Sequence, residues 1–559
     1  MQDTISAAPE IPQDHSTVST ASLVPMFAFA LSACGGGEGS SPTPTPSPTA
    51  VPTLPIGIEQ QRASRFLCQA TNGATRAEID AFVQIGMGAW LDNQFAQPRG
   101  QSHWDWMIEQ SFNTIENKYN KSHWNFSVWR QTVSGLDQMR QKISLALLDI
   151  FVVSINDIIV GWPQFALANY MDILLDHAFG NFRTLLSAVT YSTAMGEYLT
   201  YVGSRKQNSS GNVPDENYAR EMMQLFTIGL YELNPDGTKK LGPDGQAIAT
   251  YNATDVSQLS RIFTGFSFPS SDLSTPDFRQ KPLIIDAATN ETGETTFLGA
   301  KVTGGGKVAV EAALDVLFQH PNVAPFFAKN LIQRLVTSNP SPAYVSRAAA
   351  AFENDGNGKR GELKAVIRAI LTDAEARSDD AAQSDSFGLL RSPVQRLSGV
   401  LRAFRATSAA GSWKMEDLRA IIGQSPGTSP SVFNFFQPAY SPPGSEFYNR
   451  GLVAPEFQIT DEVSTIGYAN TVRKAVRSGL ASGDIKLDLS DLVVLAPDPA
   501  ALVDEVSIRI AAGRIPAGIA AKIASSVSAI SSTSASGLQS RAQVGVLLCA
   551  VSPDCMVQK

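Results

Sequence analysis

The chain has 559 residues and a formal net charge of −8, with 44 Lys and Arg against 52 Asp and Glu. That balance excludes a nucleic acid partner held by charge, which needs a basic surface. The length suffices for a large buried core, and after Cys34 no run reaches the roughly 20 apolar residues of a spanning helix; the most apolar stretch, residues 143–153, is short and contains Asp149.

Taken in chain order, the first readable segment is residues 21–33 (ASLVPMFAFALSA), an apolar run that closes on Leu31-Ser32-Ala33-Cys34 and opens into Gly35-Gly36-Gly37. A bacterial lipoprotein signal peptidase cuts such a pattern and leaves the cysteine as a lipidated N-terminus, so Cys34 is the expected lipidation site and membrane anchor. The competing reading is a chance apolar stretch in an unstructured head. No Lys or Arg precedes Arg62, while Asp3, Glu10 and Asp14 make the head acidic; this departs from a signal peptide's basic start and points to a misassigned start codon or a poor export signal. Residues 35–55 (GGGEGSSPTPTPSPTAVPTLP) read as an extended spacer with nothing to pack. The expected organisation is a signal peptide over 1–33, a tether over 34–57 and one body over 58–559. The absence of Asp after Cys34 points, by bacterial sorting patterns, to the outer membrane.

The body reads as mainly α, a large multi-helix single domain with a small β-hairpin excursion. Thr75 and Glu78 form a capping box ahead of Ile79, Phe82 and Val83, predicting a helix that stops near Gly86. Helical apolar spacing recurs over residues 139–154, 170–178 and 181–191, and again after Asn322 and Pro325, where Phe327, Leu331 and Leu335 repeat every fourth residue. Between Tyr231 and Tyr251, Pro235-Asp236-Gly237 and Pro243-Asp244-Gly245 mark two tight turns and the hairpin excursion. No repeat of solenoid period is present, and the Ser-rich residues 525–537 read as a connection between late helices. Cys68, Cys549 and Cys555 admit one disulfide at most, or three small buried thiols. Without CxxC or HxxxH no zinc site is expected, and no cofactor fingerprint appears.

The richest constellation is residues 215–229 (DENYAREMMQLFTIG). Asp215 starts a predicted helix and Gly229 ends it, so Asn217, Glu221 and Gln224 share a face with Arg220 beside them, and the other sides are apolar. Two readings follow. Glu221 is a carboxylate at the base of a cleft, tuned by burial or by Arg220 for acid/base work, with Asn217, Tyr218 and Gln224 binding beside it; or Glu216, Arg220 and Glu221 form an ion-pair network between helices.

These residues and seven further segments carry a family resemblance: 65–75 (RFLCQATNGAT), 141–154 (QKISLALLDIFVVS), 263–266 (FTGF), 320–340 (HPNVAPFFAKNLIQRLVTSNP), 360–377 (RGELKAVIRAILTDAEAR), 431–444 (SVFNFFQPAYSPPG) and 550–554 (AVSPD). In order and spacing the chain resembles the bacterial domain-of-unknown-function family 1800 over nearly all of its length after the tether. The resemblance implies an exported, largely helical single domain without an assigned activity. It also implies, as a partner, an exported sulfatase-like protein of unknown-function family 1501, often encoded beside relatives. The family's Asn217, Tyr218, Arg220, Glu221 pattern is intact, but many relatives carry His where this chain has Phe226, so no metal or acid/base role transfers to that position.

Other candidates are less specific. Residues 354–362 (NDGNGKRGE) are oxygen-rich like a calcium loop, but Lys359 stands where a ligand belongs, and a polar turn before a helix is the plainer reading. Phe433, Phe436 and Tyr440 crowd a Pro-rich loop and are expected either to present an aromatic binding platform or to anchor the loop in the core. No GxSxG, HExxH, P-loop or GxGxxG motif occurs. Two functions remain: an envelope component that binds a polymer or the sulfatase-like partner, and an envelope hydrolase that uses Glu221 with a second carboxylate.

Overall fold

A computed structural model describes residues 56–207 and 211–559. The predicted signal peptide, Cys34 and nearly all of the tether lie outside the described residues. Helix makes up 55% of the chain, and the described strands are short antiparallel pairs, so the fold is mainly α. Residues from Pro52 to Lys559 form one compact unit. No described helix is long and apolar enough to cross a membrane.

Local chemistry sets the helix starts. Thr75 accepts a hydrogen bond from the Glu78 amide at 3.2 Å while the Glu78 carboxylate accepts one from the Thr75 amide at 2.7 Å, and the helix Arg76–Ala96 follows. Gly86 breaks its geometry with φ at +78° without ending it, so the predicted stop is a kink. The apolar stretch expected to be helical over 139–154 yields the shorter helix Gln138–Leu148, capped at Asp149, after which residues 149–162 run as loop into the helix Pro163–His177. Asn181 caps Phe182–Thr190, and the fourfold apolar spacing after Asn322 produces Val323–Leu335. The hairpin excursion is a pair of narrow turns held by the bridges Tyr231 to Ala249, Leu233 to Lys239 and Leu241 to Ala247.

Most apolar side chains merge into one core that runs from Phe66 through Tyr170, Phe226, Leu331 and Leu397 to Val546, with a smaller cluster of Trp104, Trp106, Trp162, Phe165 and Phe278 beside it. Burying each large side chain contributes about 1.5–3 kcal/mol, which offsets the ordering of long loops. Charge is also buried: Arg279, fully enclosed, pairs with Glu197 at 2.7 Å, lies over the Phe278 ring and donates to the Gly161 carbonyl at 2.8 Å. Helix Ile58–Ala70 packs on Pro499–Ala511, Leu389–Leu390 pairs with Val557–Gln558, and the Gln558 amide donates to the Leu335 carbonyl at 2.6 Å.

The helix Glu462–Arg477 lies so close to Arg419–Ile422 that a Cβ on Gly467 would sit 1.7 Å from the Ile421 carbonyl oxygen. In contrast, Gly88 in Arg76–Ala96 has open space around it. Gly467→Ala is expected to lower stability by at least about 1 kcal/mol, because backbone overlap outweighs alanine's helix propensity of up to about 1 kcal/mol, whereas Gly88→Ala is expected to be neutral or stabilising. Urea midpoints of the two variants check this.

Candidate functional site

The Asp215 motif starts as expected and then changes geometry. Asp215 accepts from the Asn217 amide at 2.8 Å, α-helix runs over Asn217–Glu221, and Met222–Thr227 is a wider π-helical stretch in which Thr227 bonds back five residues to the Met222 carbonyl. Gly229, at φ +71°, ends it with its amide on the Met223 carbonyl. A wider turn rotates the side chains that follow, and such insertions cluster at functional sites.

The expected shared face is therefore divided. Asn217 is half-buried at the helix start, its amide 3.4 Å from the Thr200 hydroxyl. Tyr218 is fully buried, stacked on Tyr201 at 4.1 Å and hydrogen-bonded to the Thr190 hydroxyl at 2.8 Å, so its contacts are internal. Arg220 points outward to Glu216 at 3.0 Å, an exposed pair that contributes a few tenths of a kcal/mol. Glu221 is 6% exposed, one carboxylate oxygen has no hydrogen-bond partner, and burial pushes its carboxyl up against the opposing pull of Arg220. The predicted interhelical network is thus the local Glu216–Arg220 pair, with Glu221 outside it.

Gln224 alone of this motif's polar residues opens onto the principal cleft of the described residues, a space of about 950 Å³. Its walls come from the end of the π-helix, the hairpin after Leu230, the helix Val323–Leu335 with the turn that follows, and the loop 432–453. Amide side chains (Gln224, Asn330, Gln333, Asn339) line it together with the rings of Tyr231, Phe326 and Phe433; Asn339 is paired at both ends with the Val453 backbone, and Gln333 donates to the Ser338 carbonyl at 2.9 Å. The aromatic loop is divided too: Phe433 is exposed and lines the cleft, Phe436 is buried, and Tyr440 is half-buried away from its lining, so the three rings do not form one platform.

Sequence reasoning passed over the inner wall. Asp149, at the C-cap of Gln138–Leu148, lines both this cleft and a small inner cavity of about 40 Å³. Its carboxylate accepts from the Asn434 amide at 2.8 Å, and its backbone carbonyl accepts from the Arg334 guanidinium at 3.0 Å. Burial raises the Asp149 carboxyl, and Arg334, Asn434 and Lys142 pull it back. Behind it Glu456, 4% exposed and with an unpartnered oxygen, is pushed up to about 8 by burial, with Arg334 and Arg396 opposing and Asp149 adding. Lys142, 3% exposed, lines the inner cavity beside Asn72, and its amine is drawn down to about 8 by burial and by Arg391. At neutral pH this places a protonated Glu456 and a charged Lys142 around Asp149 and Arg334. The available signal was charge inside apolar spacing: Lys142 and Asp149 in QKISLALLD, and Arg334 in LIQRLV.

Elsewhere the sequence candidates are structural. In residues 354–362 the oxygens of Asn354 and Asp355 cap their own loop's amides, at 2.8–3.1 Å. Cys68, Cys549 and Cys555 are unbridged. No group of three or more His, Cys, Asp or Glu able to hold a metal occurs among the described residues.

A family model described as "Protein of unknown function (DUF1800)" matches residues 65–557, nearly all of the chain after the head. No curated protein and no solved structure matches the chain.

Because the folded state holds a proton on Glu456 that the unfolded chain releases above its ordinary range near 4.3, this residue makes stability fall as pH rises from about 4.5 to 8. Glu456→Gln removes that dependence. The stability difference between variant and wild type is expected to grow in the variant's favour across this window, with a limiting slope of about 1.4 kcal/mol per pH unit. Denaturant titrations at stepped pH measure it, and a difference flat in pH contradicts the assignment.

Proposed function

The chain belongs to the DUF1800 family, and we propose that it is a lipid-anchored cell-envelope protein whose cleft binds a strand of envelope polymer. The observation that carries this reading is the cleft itself: about 950 Å³, lined by both amide side chains and aromatic rings. Amides exchange hydrogen bonds with hydroxyl and amide groups of a polymer, and exposed rings such as Phe433 supply flat apolar area for a sugar face. Lipidation at Cys34 and the spacer after it would hold the body within reach of an outer-membrane or periplasmic polymer. The sulfatase-like protein of family 1501 belongs to the same proposal as the partner that acts on such a polymer.

A second reading, hydrolysis by carboxylate acid/base chemistry, is favoured by one observation: a carboxyl raised by burial lines the cleft. That carboxyl is Asp149. Glu221, the residue first expected to serve, is buried without lining the cleft.

The full chain, solubilised from envelopes in detergent, is expected to retain envelope polymer. Phe433→Ala and Gln224→Ala, both at partly exposed side chains, are each expected to reduce retention severalfold without altering the melting temperature, since a stacking ring and a bound amide each contribute about 1 kcal/mol. Retention equal to wild type in both variants contradicts the cleft as the binding site. Stoichiometric capture of a sulfatase-like protein without polymer, unaffected by either variant, would make the molecule a scaffold.

A further inference from the structure

The cleft carries a charge pattern that its polar lining alone does not require. Lys239, on the hairpin, and Lys329, on the helix Val323–Leu335, both line it and both are exposed. Among the described residues neither has a carboxylate within ion-pair distance. The neighbouring Lys240, by contrast, is neutralised by Glu232 at 3.3 Å. The Lys239 ammonium lies over the Tyr231 ring, 4.1 Å from its centroid, and the Lys329 stem lies against Gly237 of the same hairpin. The two amines repel one another. Further along the cleft lies Arg334, whose hydrogen bonds go to the carbonyls of Asn330 and Asp149 and to the Asn330 amide oxygen; none goes to a carboxylate.

In a chain of net charge −8, two neighbouring lysines that line a cleft without acid partners leave a local positive potential that an anionic ligand would complement. A macromolecular anion with a neutral, hydroxyl-rich backbone fits both halves of the lining. Its charged groups would meet Lys239 and Lys329, and its uncharged faces would meet Tyr231, Phe326 and Phe433. Glu375 and Asp149 also line the cleft, but among the described residues neither forms an ion pair with Lys239 or Lys329: Glu375 accepts from the Ser341 hydroxyl and amide, and Asp149 from the Asn434 amide.

We infer that the ligand is an acidic polysaccharide, carrying carboxylate or sulfate groups, with Lys239 and Lys329 as its charge-reading residues. This rests on the cleft being the polymer site. Long-range attraction of this kind governs association and is screened by salt, with a Debye length near 10 Å at about 0.1 M ionic strength.

The test is fluorescence-polarisation binding of labelled polygalacturonate, dextran sulfate and neutral dextran to the full chain in detergent, at 50 and 300 mM salt (concentrations of roughly this order bracket the screening range). At least one of the two acidic polymers is expected to bind, more weakly at the higher salt, and to outcompete neutral dextran; which of the two it is distinguishes carboxylate from sulfate. The double variant K239Q/K329Q is expected to weaken that binding roughly five- to tenfold and flatten its salt dependence, while K240Q leaves both unchanged. The salt comparison on the unmodified chain needs no variant to fold. Equal affinity for neutral dextran, or binding unaltered in the double variant while Phe433→Ala still weakens it, overturns the acidic class and leaves the polymer site standing. Binding of no polymer, or binding insensitive to Phe433→Ala, removes the polymer reading as well.

Discussion

Buried charge has to be compensated where it stands, and in this molecule the compensation ties distant parts of the chain to one another around Asp149. Arg334 reaches across from the helix Val323–Leu335 to the Asp149 carbonyl, Asn434 from the late loop holds the carboxylate, and Glu456 lies close enough to feel both charges. Lys142, from the same helix as Asp149, extends the cluster to the inner cavity, where Asn72 of the first helix-loop segment meets it. Breaking one member of such a cluster strands the others without water, which typically costs about 3–5 kcal/mol. The contacts are therefore more directional than apolar packing, even though Arg334 Nε and one Glu456 oxygen have no hydrogen-bond partner.

This junction draws together segments far apart in sequence. Asn72, Lys142, Asp149, Arg334 and Asn434 come from four of the segments that gave the resemblance, and they meet at the wall between the cleft and the inner cavity. The closing strand Val557–Gln558 belongs to the same arrangement, since Gln558 bonds the end of the helix that carries Arg334. One wall of the cleft is consequently rigid. The opposite wall, the hairpin with its two glycine turns, is held by isolated bridges and exposes more of its surface.

Much of the helical fold was legible because its signals are local. The Thr75 and Glu78 capping box, the Asn181 cap and the Phe327, Leu331, Leu335 spacing each act within a few residues, and each produced its helix. The hairpin turns were legible for the same reason. The site was much less so. The face expected for Asn217, Glu221 and Gln224 assumed α-helical spacing throughout, and a π-helical stretch from Met222 sends Gln224 to the cleft while Glu221 stays buried. Asp149 was read only as an interruption of an apolar run, because its partners lie from 185 to 285 positions away along the chain. No local pattern reports a pairing of that range. The aromatic loop shows the same limit: of its three candidate rings one, Phe433, is exposed, and only the packing of the loop decides which.

The central claim is that the cleft bounded by Gln224, Lys239, Arg334 and Phe433 is where this protein meets its ligand. Hydrogen–deuterium exchange on the full chain, with and without saturating acidic polysaccharide, tests it most directly. Protection concentrated in residues 224–239, 326–341 and 432–453, the segments that wall the cleft, is the predicted result. Protection confined to other surfaces, or none at a polymer concentration that saturates binding, would contradict it.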